Sequence, residues 1–265
     1  MKKIIASSVI CALALSSCSF SINGEKLDFD TKESKSETVS IKPEKAVKLD
    51  IDIKVGQIDI RYGDTKNVEV IGSYTSKGAS ADKVSAALEN VRLESKIKGD
   101  TLYITMSERD FDTRFVNVTT DLDITLPSEF SDYTIKTDVG DINLENLKGS
   151  FDITADVGNV SLESLVGDFS ISANVGNIEC ENISVKDDSK ITADVGDIDV
   201  SVESVAECEL EITADVGDID VDTLGLDFTE KEQSEDFVGK KKEIVIENKC
   251  TVKLSADVGN VKAAK

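Results

Sequence analysis

From Thr134 onward the apolar residues fall at every second place, lose step by one, and then resume. Around Gly158 this alternation puts Val157, Val160, Leu162, Leu165, Phe169, Ile171 and Ala173 on one side. The preceding stretch supplies Val139, Ile142, Leu144, Leu147, Phe151, Ile153 and Ala155 at the matching places, and Asp, Asn, Ser, Glu and Lys fill the others. Period-two alternation of this kind predicts half-buried strands. The step of three from Val157 to Val160 marks a corner at Gly158-Asn159, because glycine permits the backbone a corner demands and Asn or Asp tolerates it next best. The valine and the following Ile or Val read as core, which leaves the acidic side chains of the corner to face outward.

The corner phrase recurs at Gly140, Gly158, Gly176, Gly196, Gly217 and Gly259, with spacings of 18, 18, 20, 21 and 42 residues. Recurrence at such a period in strand-forming sequence predicts a solenoid whose coils share one core. Parallel crossovers are almost always right-handed, so the expected fold is an all-β, single-domain, right-handed β-solenoid. The last spacing has two explanations. It holds either a degenerate coil around Val238-Gly239 or a single coil with an excursion near residues 225–249. Lys240, Lys241 and Lys242 stand where the phrase needs an apolar residue, which favours the excursion.

Ahead of the regular coils the pattern is less even. Val47 to Ile53 alternates strictly and leads into Val55-Gly56-Gln57-Ile58-Asp59-Ile60, a blurred first copy of the phrase. Val68 to Tyr74, Leu93 to Ile97, Leu102 to Met106, Val116 to Thr119 and Leu122 to Leu126 read as further strands. Val84, Ala87, Leu88 and Val91 have helical spacing, with Asp82 near the start, and predict one short helix over Ser80 to Val91. The domain is therefore expected over residues 46–265. Residues 46–133 form an irregular β-rich half that covers the N-terminal end of the stack, and residues 134–265 form regular coils. Residues 18–45 are polar and poor in large apolar side chains, and read as a flexible tether.

Met1-Lys2-Lys3 followed by an apolar run to Leu15 reads as a signal peptide over residues 1–17. It ends in Leu15-Ser16-Ser17-Cys18, the pattern at which a bacterial lipoprotein receives its lipid, so Cys18 is the expected lipidation site and mature N-terminus. No other apolar segment is long enough to cross a membrane. The expected place of the protein is extracytoplasmic, held to a bacterial membrane by its N-terminal lipid. Removal of Lys2 and Lys3 takes the formal charge from -22 to -24. Such a chain would repel nucleic acid, so no nucleic-acid partner is expected.

Beyond Cys18 the chain resembles the "putative adhesin" family, also described as toastrack-type domains, found on bacterial surface proteins. The resemblance covers roughly Ala46 to Lys265. It rests on the opening Leu49 to Ile60, the step Ile124-Thr125-Leu126-Pro127, the repeated Asp-Val-Gly-Asp-Ile phrase, and Lys253 to Val261 at the end. It implies a β-solenoid without an established enzymatic role. It also implies a binding or scaffolding module in the envelope, or, as an alternative, an accessory or sensor of an envelope-stress response.

Catalysis is not expected. Histidine and tryptophan are absent and there are four tyrosines, which removes the usual general base and most stacking platforms. Carbohydrate-active β-helices are the remaining enzymatic comparison. All four arginines (Arg61, Arg92, Arg109, Arg114) precede the regular coils, and the aspartates form a row instead of a unique acid/base pair. No cofactor is expected apart from Ca²⁺, for which rows of carboxylates on successive coils are candidate ligands, chiefly Asp194, Asp197, Asp215 and Asp218. The central coil carries Asn174 and Asn177 at those places, which fits a solvated corner better than a metal row. Cys180 occupies an inward place. Cys208 and Cys250 each lie nine residues before a corner glycine, and with the excursion reading they are neighbours on stacked coils and a possible disulfide.

Overall fold

The computed structural model describes the backbone of residues 7–9, 19–22, 25–28, 31–108, 116–205, 209–222, 228–235, 240–246 and 250–264. Side chains are described for 31–106, 116–204, 209–222 and parts of 253–262. The Val-, Ile- and Thr-rich alternation gives strands almost throughout, and they assemble as a β-solenoid in a single domain. Each coil has a long arm, such as Lys148–Val157, and a short arm, such as Val160–Glu163, joined at the glycine corner. The long arms pair in parallel and in register from Lys48–Val55 through Asp132–Val139, Lys148–Val157, Val166–Val175, Ser189–Val195 and Glu209–Val216 to Cys250–Val258. The short arms also pair in parallel from Ile58–Tyr62 to Val261–Ala264, with a local register shift between Cys180 and Ser184 where Ile178–Val185 meets Ile198–Val205.

The interior follows the expected inward places closely. Ile142, Leu144, Leu147, Phe151, Ile153 and Ala155 are buried, as are their counterparts one coil on. Tyr133, Phe151 and Phe169 stack with ring centroids 4.9 and 5.4 Å apart and nearly parallel planes. Tyr133 anchors the stack by donating its hydroxyl to the Phe130 carbonyl at 2.8 Å. The stack stops at Ser189, whose Oγ accepts the Phe169 N–H at 3.0 Å. Burying each large side chain contributes about 1.5–3 kcal/mol, but only because the next coil closes over it.

One part of the expected interior is wrong. Val139 and Val157 point outward, as do Val55, Val175, Val195, Val216 and Val258 at the same place, with relative exposures between 38% and 58%. The last residue of each long arm is swung out as the chain enters the corner, so strict alternation fails there by one place.

The excursion reading of the 42-residue gap holds. Glu209–Val216 pairs directly with Cys250–Val258, and the intervening chain contributes an antiparallel hairpin, Phe228–Glu235 with Lys240–Ile246. Its second strand lies antiparallel along Cys250–Val258 and covers that edge of the stack.

The N-terminal half forms the opposite cover. Thr101–Glu108 continues the long-arm stack beyond Lys48–Val55, and the end of Val116–Leu126 continues the short-arm stack beyond Ile58–Tyr62. The two strands expected at Val116 to Thr119 and Leu122 to Leu126 are one. That strand pairs antiparallel with Val68–Gly78, which pairs antiparallel with Thr31–Ile41, and the helix Ala81–Asn90 packs over them through Val84, Ala87 and Leu88.

Thr31–Ile41 corrects the reading of residues 18–45 as a tether. It is an 11-residue strand paired along its whole length. Hydrophobicity did not reveal it because much of the side it turns toward the helix is polar. Ser85 on the helix donates to both Glu33 oxygens at 2.8 Å. The Lys35 ammonium donates to the carbonyls of Leu88 and Val91 at the helix C-terminus, where the helix dipole favours a cation, and lies 5.1 Å from the centre of the Tyr74 ring. Glu37 accepts from the Tyr74 hydroxyl and from the Leu93 N–H. No helix of the described residues is long and apolar enough to cross a membrane.

Candidate functional site

The most repeated surface of the molecule is the glycine corner. A Cβ built at Gly158 would lie 2.1 Å from the Gly140 carbonyl oxygen, and φ there is +149°, so both space and backbone require glycine. At Gly176, Gly196 and Gly217 the same approach to the preceding corner is 1.9 Å. The glycines thus form a spine on which the coils lie at the usual strand spacing of about 4.8 Å.

The corner also has a strict accounting of donors. In the coil of Gly158, the Gly158 and Val160 N–H groups donate forward to the carbonyls of Val175 and Asn177, both at 2.9 Å. The N–H of Asn159 between them has no such partner and donates backward to Asp141 Oδ1 at 2.8 Å. The pattern then repeats: Asn177 N–H to Asn159 Oδ1, Asp197 N–H to Asn177 Oδ1, Asp218 N–H to Asp197 Oδ1, and Asn260 N–H to Asp218 Oδ1, all at 2.7–2.9 Å. An Oδ1 is what this position needs, and Asp and Asn both carry one. That is why the two alternate freely after the glycine.

This ladder reverses the expected roles within the phrase. The residue after the glycine is occupied with the fold, and the valine before it is the part that faces out. Beside the valines runs a second row, Asp138, Asp156, Asn174, Asp194, Asp215 and Asp257, in which Asn174 donates to Asp156 Oδ1 at 3.2 Å. From Asp138 to Asp218 neither row beside the valines contains a cation. The result is an apolar ridge about 29 Å long, seven valines at about 4.8 Å each, edged by carboxylates and amides from Val139 to Val216.

The sequence contained a signal for the ridge. The ridge place is valine in every coil, from Val55 to Val258, although it faces outward.

The Ca²⁺ candidates do not converge. Asp197 and Asp218 each have Oδ1 taken by the ladder, and Asp194 and Asp215 lie in the other row. Among the described residues no group of three or more His, Cys, Asp or Glu side chains could hold a metal ion. On the outer side of the short arms, burial first, then the carboxylates of Asp220 and Glu181, raise the pKa of Asp199 above its ordinary value, with Lys262 opposing.

Cys180 is buried and free as expected, and burial, with Asp199 and Glu179 nearby, pushes its thiol pKa up, away from reactivity. Cys18 and Cys208 lie outside the described residues. Of Cys250 only the backbone is described, at the start of its strand, one residue before the Glu209–Thr251 pairing.

The ionisable cluster of the cover, Lys35, Glu37 and Tyr74, was not foreseen. Burial lowers the Lys35 pKa while Glu37 opposes the shift, and burial with the Glu37 hydrogen bond raises that of Tyr74. All three groups are committed to hydrogen bonds that hold the helix and strands together. A cavity of about 450 Å³ lies where the cover meets the first coil, lined by Asp52, Lys54, Val55, Val91, Met106 and Thr120 among others.

The model of the family described as Toastrack DUF4097 matches residues 22–263, a span that takes in Thr31–Ile41. Among solved structures, the chain is similar to a "putative adhesin" from Bacteroides fragilis, with 17% identity over 86% of this chain and 97% of that one, at a TM-score of 0.41. It is also similar to a structure named as a putative cell adhesion protein from Clostridium sporogenes, with 14% identity over 88% of this chain and 99% of that one, at a TM-score of 0.33. No curated protein matches it significantly.

Proposed function

We propose a non-catalytic binding or scaffolding role in the bacterial envelope for this chain, which belongs to the Toastrack DUF4097 family. Cys18 carries the lipid, the mature chain stands outside the cytoplasm, and the solenoid presents its glycine corner to a partner. The observation that carries this reading is the ridge. A valine stands exposed at the same place in seven successive coils, where a polar residue would be better solvated. Support for the anchor comes from the Leu15-Ser16-Ser17-Cys18 pattern behind the apolar leader.

Two measurements test the reading. Cys18→Ala is expected to move the protein from the membrane fraction to the soluble fraction. A photo-crosslinking side chain at Val175 is expected to give a discrete adduct in intact envelopes, whereas one at Thr134, on the outer face of a long arm, is not. Equal labelling from both positions would overturn the assignment of the ridge as the binding face.

A further inference from the structure

The ridge has a chemistry specific enough to name its occupant, given the reading of the chain as a binding module. We propose that it docks a cationic amphipathic helix of a partner protein. The apolar face of that helix lies along Val139, Val157, Val175, Val195 and Val216, and its Lys or Arg side chains reach the flanking aspartates.

Shape alone does not account for the valines. Branched side chains suit strands, and successive valines partly cover one another. Threonine has the same branching and is better solvated. The chain uses it at other outward long-arm places, at Thr154, Thr192 and Thr213, yet never at the ridge. The hydroxyl is absent from the one row where a dry partner would exclude it.

Charge gives the second constraint. The rows on either side of the five valines contain Asp138, Asp156, Asp194 and Asp215 on one side and Asp141, Asp197 and Asp218 on the other, with amides between them and no cation. A second copy of this chain would bring like charges together, and an anionic lipid surface would be repelled. A partner that is apolar along a line and basic beside it is complementary on both counts.

Period gives the third. A helix returns an apolar residue to one face about every 5.4 Å, against about 4.8 Å between valines, so over four intervals the two drift apart by about 2.4 Å, half a step. Each helical turn can therefore settle between neighbouring valines along the length of the five coils. An extended peptide repeats on one face at about 6.7 Å and slips by more than a whole step over the same distance.

The probe for the test is a fluorescent helical peptide of four turns with leucines on one face and lysines beside them, titrated into the full chain and followed by anisotropy. A control peptide keeps the lysines and replaces the leucines with serines. The leucine peptide is expected to bind, the serine peptide to bind far more weakly, and both to weaken as salt is raised. The triple variant Val157→Thr, Val175→Thr, Val195→Thr keeps shape and charge and is expected to lose roughly tenfold or more in affinity for the leucine peptide while melting like the parent. The pair Asp156→Asn, Asp194→Asn is expected to lose affinity for both peptides. Unchanged affinity in the valine triple would reduce the interaction to bulk charge and overturn the proposal, and so would failure of the leucine peptide to bind. If that failure came with a discrete crosslink from Val175 in envelopes, the partner chemistry would fall while the binding role stood. Absence of the crosslink as well would remove both.

Discussion

The coils and the N-terminal cover bury opposite kinds of interior. Each coil turns apolar side chains inward and leaves the polar groups of its corner to be satisfied by the coils on either side. The cover instead places Glu33, Lys35 and Glu37 on the helix-facing side of Thr31–Ile41 and commits them to a helix hydroxyl, the carbonyls at the helix end, and a tyrosine. The coils gain specificity from repetition, since every register error would be repeated along the stack. A cover made of single copies gains it from polar partners that fit in one arrangement only. The difference is open to measurement at four points.

The largest effect is expected at the spine. Gly176→Ala places a Cβ 1.9 Å from the Gly158 carbonyl oxygen at a φ of +153°, and should destabilise the coils by about 4 kcal/mol. In denaturant the coils should then unfold at lower concentration than the cover, splitting a single transition in two. Retention of one unshifted transition would mean that the corner relaxes more easily than its geometry implies.

Next is the cover. Lys35→Met keeps the length of the side chain and removes its donors, leaving two helix-end carbonyls and Glu37 without their cation. The expected loss is about 1–3 kcal/mol. Hydrogen exchange should quicken in Ala81–Asn90 and stay unchanged in the coils around Phe151.

The ladder comes third. Asp218→Ala removes the acceptor of the Asn260 N–H and should lower stability by about 1 kcal/mol, whereas Asp218→Asn keeps an Oδ1 and should be close to neutral. A matching loss in both variants would show that charge, not the acceptor, matters there.

The smallest effect concerns Asp199. Its pKa in the folded protein is raised, so the folded state holds this proton more tightly than the unfolded chain. That contribution is complete below the ordinary value of 3.8 and is lost as pH rises through the raised value. Asp199→Asn should therefore leave melting unchanged in acid below that value and raise it slightly at neutral pH, by a few tenths of a kcal/mol for so exposed a group. A larger gain in acid than at neutrality would contradict the sign.

The coils were legible in the sequence because one rule, alternation with a glycine at the break, is written again in each. It gave the inward side chains from Ile142 to Ala173, the corners and the excursion. It failed at Val139 and Val157, because alternation assumes a straight strand and these residues already belong to the turn. The role of Asp141, Asn159 and Asn177 was hidden for a different reason. Their acceptors serve the neighbouring coil, and a local reading sees only that Asp and Asn suit turns. Thr31–Ile41 was missed because hydrophobicity marks strands that face an apolar core, and this one carries its inner contacts on Lys35 and Glu37.

The arms differ in where they admit extra residues. The coils that exceed 18 residues do so between the end of a short arm and the next long arm, at 186–188, at 206–208, and at the excursion after Asp222. The glycine corner is fixed by its own close contacts and has not lengthened in any regular coil. A gene that grows by duplicating coils can therefore acquire cargo on one flank while the other keeps a constant ruling, one valine per coil. Foreign sequence grafted at 186–188 would be carried in the same way, displayed at a chosen distance along the axis with the ridge left as it was.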